Sequence, residues 1–159
     1  MRRRLCEAAE TAKRKGLSNL VFKELDISTV DTLGGYDLVF AFDAVHDQKD
    51  PQGMLATIRR SLRPDGTFLM VDIDGSSYLE NNLEHPLGAY LYMMSTMHCT
   101  PVSLAQGGAG LGTMWGFELA SEMLALAGFG DVKLNRLPTD PFNVYFVAGP
   151  YACATNEGP

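Results

Sequence analysis

The chain has 159 residues, 46% of them hydrophobic, which is one domain's worth of sequence with apolar side chains enough for a packed core. Thirteen basic against nineteen acidic residues give a formal charge of −6, a balance that argues against a general nucleic-acid binder. Three widely spaced cysteines, Cys6, Cys99 and Cys153, suggest neither a disulfide framework nor a zinc site, and no apolar run reaches the roughly 18 residues of a membrane span.

Leu5, Ala8, Ala9 and Ala12 recur at i, i+3, i+4 and i+7 and predict an amphipathic helix over 2–15, ended by Gly16. Its basic clusters, Arg2-Arg3-Arg4 and Lys13-Arg14-Lys15, read as a solvated face. Residues 19–25 (NLVFKEL) follow as a strand, closed by Asp26-Ile27-Ser28. Two further apolar runs, 38–42 and 67–73, carry Asp43 and Asp72 at their C-terminal ends. Each is nearly all apolar rather than alternating, which predicts parallel strands buried on both faces, with the acidic ends on the rim where open α/β sheets bind ligands. Between them lies a helix. Asp50 suits its N-cap and Pro51 its first position, Met54, Leu55, Ile58 and Leu62 would face the sheet, and Pro64-Asp65-Gly66 would stop it and turn the chain.

After Asp74 the pattern changes. Residues 78–88 are irregular, and 89–99 (AYLYMMSTMHC) read as a core helix, or as a pocket wall suited to a variable ligand. Residues 106–112 (QGGAGLG) are not a dinucleotide fingerprint, because Thr113 stands where the third glycine belongs and no strand precedes; they form either a mobile lid or an irregular connection. A helix is expected over 117–127, with Leu119, Met123, Leu126 and Ala127 on its apolar face and Gly128 as its end. Residues 131–137 and 143–148 read as strands separated by too few residues for a parallel crossover, hence an antiparallel pair, and 149–159 as a tail.

The order predicts an α/β fold: a Rossmann-like, mostly parallel sheet with a final antiparallel strand. With YDLVFAFDAVHD, LRPDGTFLMVDID and LDIS, it resembles the C-terminal part of a class I S-adenosylmethionine-dependent methyltransferase over 2–148, matching the fourth strand, the helix-to-fifth-strand segment and the end of the third strand. Asp65 departs from that family's habitual L-R/K-P-G-G. The glycine-rich loop after the first strand and the acidic residue ending the second have no counterpart, so the fold is expected to be incomplete at the N-terminus. A fragment, a split protein completed by another chain and a rearranged fold would each explain this, the fragment being preferred. Residues 75–115 would form a substrate or lid insertion.

The resemblance implies S-adenosylmethionine as cofactor and a small-molecule methyl acceptor. Asp26 would accept a hydrogen bond from the adenine amino group and the Ile27 N–H would donate to the ring; otherwise Asp26 is a strand-end turn residue. Asp43 and Ala44 would lie beside the methionine portion. His46 would be the general base, having an ordinary pKa near 6.5, and Asp47 would cap the loop rather than orient it. Asp72 and Asp74 are paired carboxylates without further visible ligands, and no metal is expected. Tyr90, Tyr92, Met93, His98 and Trp115 are pocket candidates by region only, each read first as core or lid packing. The chain alone is expected to bind the cofactor weakly or not at all. The alternative is a non-catalytic remnant or partner subunit pairing through an exposed sheet edge with a complementing chain or as a homodimer. A cytoplasmic protein with no nucleic-acid or membrane partner completes the expectation.

Overall fold

The computed structural model describes residues 2–150. Helix α1 (Arg2–Arg14) is followed by Gly16 in the left-handed region at φ 68°. Then come β1 (Tyr36–Phe42), α2 (Pro51–Ser61), β2 (Leu62–Ile73), α3 (Gly88–Met94), a π-turn at Ser95–Cys99, α4 (Thr100–Ala105), α5 (Phe117–Leu126), β3 (Phe129–Leu137) and β4 (Asp140–Pro150). The strands form one sheet in the order β1-β2-β4-β3. β1 and β2 are parallel, and β4 runs antiparallel to both β2 and β3. Three strands therefore share one direction and the last in sequence opposes them. This is the expected α/β sheet, with the reversed strand placed inside it rather than at its edge.

Helices α2 and α5 pack on β2 and β3. The core lies between them, where Leu55, Ile58 and Leu124 meet Phe68, Met70, Phe129, Val144 and Phe146, all of these at most 1% exposed. Helix α2 starts as its sequence dictates, with the Asp50 carboxylate accepting from Gly53 N at 2.8 Å and Pro51 in the first turn. Segment 30–33 is tied along the same helix: Thr57 Oγ1 donates to Val30 O, Arg60 Nε to Asp31 O, and Leu33 N to Ser61 Oγ. These bonds carry the preceding turn, Ile27–Thr29, against α2.

Several expectations are corrected. Residues 19–25 form no strand, because a strand needs a ladder partner and none among the described residues lies beside them; Leu20, Val21, Phe22 and Leu25 are exposed. Strand β1 is buried on one face only. Val39 and Ala41 turn inward, while Leu38, Phe40 and Phe42 are about half exposed, as an apolar edge strand covered by helices on one side must be. Helix α2 ends at Ser61, before Pro64, and Pro64-Asp65-Gly66 instead bulges β2: Tyr36 pairs with Leu62 but Leu38 with Thr67. On α5 the buried residues are Ala120, Met123 and Leu124, and Leu126 is 72% exposed. The helical stretch expected over 89–99 continues through Pro101 to Ala105, with the π-turn taking up the irregularity before the proline. β4 runs through Gly149 to Pro150, and the rest of the expected tail, with Cys153, lies outside the described residues. No helix among the described residues is long and apolar enough to cross a membrane.

Candidate active site

A carboxylate inside an apolar strand demands a partner, since an unpaired buried charge is too costly to keep. Asp72 stands in that position, 1% exposed between Val71 and Ile73. Its partner arrives from β1. Phe42 pairs with Val71, Asp43 N donates to Val71 O at 2.8 Å, and the backbone then turns through the left-handed region at Asp43 (φ 48°). That turn sends Val45 and His46 inward over the end of β2, where His46 is 2% exposed.

His46 Nδ1 lies 2.9 and 3.1 Å from the two Asp72 oxygens. A ring nitrogen between carboxylate oxygens must donate, so Nδ1 carries the proton. Nε2 is then the acceptor nitrogen of the neutral ring, and it faces Asp47, whose Oδ1 is 3.5 Å away. Burial pushes the His46 pKa down, but the hydrogen bond and charge of Asp72, with the charges of Asp47 and Asp43, outweigh it and hold the value above the ordinary one. Burial, and then the charge of Asp72, push the Asp43 carboxyl up.

Beside this pair a cleft of about 660 Å³ opens, lined by Glu24, Asp26, Ile27, Asp47, Lys49 and Gln106 among others. The structure thus brings Asp26 and Ile27 together with the loop that follows His46. Asp26 O accepts from Thr29 N and Oγ1, which closes the turn. Asp43 and Ala44 sit on the rim next to His46 but are not among the lining residues; Ala44 O accepts from Gln48 Nε2. The glycine-rich segment 106–112 is fastened over this loop. Ala109 N donates to Lys49 O, Ser103 Oγ to Gln48 O, and Gly110 N to Ser103 Oγ. Gly108 approaches so closely that a Cβ there would stand 2.7 Å from Lys49 Cα.

Asp72 and Asp74 do not act as a pair. Asp74 receives Arg136 in a two-pronged ion pair at 2.5 and 2.7 Å, and the guanidinium lies 5.2 Å from the Phe117 ring centre. The regional pocket candidates do not converge on the cleft: Trp115 is a core residue, Tyr92 Oη accepts from Asn82 Nδ2, and Tyr90, Met93 and His98 are exposed. Sequence reasoning missed two neighbours of His46. One is Asp72 as its orienting partner, signalled only by a carboxylate in an apolar run. The other is the buried thiol of Cys99, which no local pattern reveals.

A family model described as a methyltransferase domain matches residues 2–128. No curated protein matches the sequence. Among solved structures, a candidate O-methyltransferase from Nostoc punctiforme is 25% identical with a TM-score of 0.65, over 87% of this chain and 39% of that one. An O-methyltransferase family protein from Burkholderia thailandensis is 14% identical, TM-score 0.65, over 90% and 40%. Human N-acetylserotonin methyltransferase, solved with S-adenosylmethionine, is 19% identical, TM-score 0.54, over 81% and 33%. The latter two likenesses concern the fold. The chain spans about two fifths or less of the length of these three relatives.

Proposed function

The chain belongs to the methyltransferase-domain family, and from that premise we propose that it serves methyl transfer from S-adenosylmethionine to a small-molecule acceptor carrying a hydroxyl. The observation that carries the reading is the buried His46–Asp72 pair set beside the cleft that holds Asp26 and Ile27. The residues fit the cofactor in two respects. The cleft has the volume of a site for a drug-sized ligand, and Glu24, Asp26, Asp47 and Asp50 give its wall a negative character suited to a sulfonium cation.

S-adenosylmethionine, when bound, supplies an electrophilic methyl group. The chain's own residues do the rest. Asp26 accepts from the adenine amino group and Ile27 N–H donates to the ring, while Asp43 and Ala44 on the rim face the methionine portion. His46, its Nδ1–H held by Asp72, takes the acceptor's hydroxyl proton on Nε2, and the carboxylates around it favour the imidazolium that forms. From the insertion at 75–115, Gln106 lines the cleft and would meet the acceptor.

The test is transfer of labelled methyl groups to a panel of small phenols and alcohols. His46→Gln should lower kcat about 100-fold, and Asp26→Ala should raise the cofactor KM with kcat largely kept. Unchanged turnover in His46→Gln would remove the base. Unchanged cofactor KM in Asp26→Ala would remove the adenine contact.

The outer side of β1, which pairs with no strand among the described residues, favours a second reading, in which a complementing chain or a second copy pairs with it. Sedimentation decides: a monomer at all concentrations that unfolds cooperatively counts against it.

A further inference from the structure

Among the described residues two groups of side chains bring three ligand atoms within 4.8 Å of one another: Asp43, His46 and Asp72, and His46, Asp47 and Cys99. The first surrounds the occupied side of the imidazole, where Nδ1 already donates to Asp72. The second lies on the side where Asp47 faces Nε2. Its three atoms come from three chemical classes, an imidazole nitrogen, a carboxylate oxygen and a sulfur, which is a donor set that suits zinc-like ions rather than calcium or magnesium.

Two independent observations single this group out. Asp47 Oδ1 is buried and makes no hydrogen bond of ordinary length, its neighbours being His46 Nε2 at 3.5 Å and the Cys99 thiol. His46 is already arranged as a ligating histidine usually is, with its far nitrogen donating to a carboxylate that fixes tautomer and ring plane. The sulfur is oriented as well, since Thr113 Oγ1 donates to Cys99 Sγ at 3.0 Å. Asp47 also lines the cleft, which gives an ion a way in.

We propose that His46 Nε2, Asp47 Oδ1 and Cys99 Sγ form a three-ligand site for a zinc-like divalent cation, with Asp72 and Thr113 as its outer supports and a fourth position open to water or another ligand. Binding deprotonates the thiol and releases that proton to solvent. The ion takes up the lone pair of Nε2, so coordination and proton abstraction by His46 exclude each other. The ion is thereby an inhibitor of base chemistry at this residue. The site stands on this geometry and not on the methyl-transfer reading.

Cobalt(II) is the probe, because a thiolate ligand gives it a near-ultraviolet charge-transfer band. The protein, stripped with a chelator and reduced, should bind one cobalt ion per chain, show that band, and release cobalt to added zinc. Cys99→Ser should abolish the band, while the double variant Cys6→Ser/Cys153→Ser keeps it. Asp47→Asn should retain the sulfur and weaken binding about tenfold or more. Matching far-ultraviolet circular dichroism establishes that the variants are folded. The proposal is overturned by no cobalt uptake at a large excess of ion, by a band that survives Cys99→Ser, or by unchanged affinity in folded Asp47→Asn.

Discussion

Asp72→Asn isolates what the buried carboxylate does for His46. Asparagine keeps the shape of the side chain and an oxygen able to accept from His46 Nδ1 and from Ile73 N, the latter now 2.9 Å from Asp72 Oδ1. The charge is lost, and the second oxygen, 3.1 Å from Nδ1, becomes an amide nitrogen that cannot accept. A hydrogen bond to a charged group contributes about 1.5–3 kcal/mol and a neutral one about 0.5–1.5 kcal/mol, so the change should cost about 1–1.5 kcal/mol while wild-type His46 is cationic. The sign with pH follows from the raised folded pKa of His46: that stability is fully present below the ordinary 6.5 and is lost as pH rises through the folded value. The groups facing the ring are Asp43, Asp47, Asp72 and Cys99. Asp43, held up by burial and then by Asp72, is relieved by the substitution, an offset that is constant once Asp43 is ionised. Cys99, its thiol pushed up from 9.0 chiefly by burial, keeps its proton across the neutral range. Urea unfolding with a chelator present, at steps from about pH 5 to about pH 9, should show the largest difference between wild type and variant at the acid end. A difference that is independent of pH, or that grows with it, would refute the charge argument.

Four further outcomes are expected. Phe146→Ala, at a residue 1% exposed in the centre of the core, should cost about 3–5 kcal/mol by chemical unfolding. Gly116→Ala should cost well over about 1 kcal/mol, because at φ 83° a Cβ would stand 2.0 Å from Ser77 N; thermal melts of the two proteins read this. Burial pushes the Glu118 pKa up, but bonds from Ser77 N and Ser76 Oγ at 2.7 Å outweigh it and hold the value below 4.5, so this stability is present above the unfolded pKa and lost as pH falls through the folded one. Glu118→Gln should flatten that acid limb in the same unfolding series. Phe40→Lys, on the exposed face where Phe40 and Phe42 stack at 5.7 Å, should leave stability within about 1 kcal/mol and reduce any self-association seen by sedimentation.

Local chemistry made most of the elements legible. Asp50 and Pro51 mark a helix start whatever surrounds them, and the short link after Leu137 permits only an antiparallel return. What failed depended on neighbours the local pattern does not contain. Among the described residues, 19–25 have the composition of a strand but no ladder partner, Leu126 has the spacing of a core residue and faces solvent, and β1 is apolar on a face that no helix covers. At the site, His46 could be singled out because its residue type carries chemistry at neutral pH. Its partner could not, since Asp72 stands 26 positions further on and meets it only through the register of β1 against β2. Cys99 comes from a different element again.

The place of β4 in the sheet bears on how the chain is made. Phe68 pairs with Ala148, so the inner edge of β2 waits for residues synthesised some eighty positions later. Until they emerge, β1 and β2 are a two-stranded parallel ribbon with α2 against it, too small to be stable by itself. Contacts so distant in sequence slow folding. Loss of the last dozen described residues would therefore split the sheet down its middle, separating β3 from β2, rather than trim a border strand.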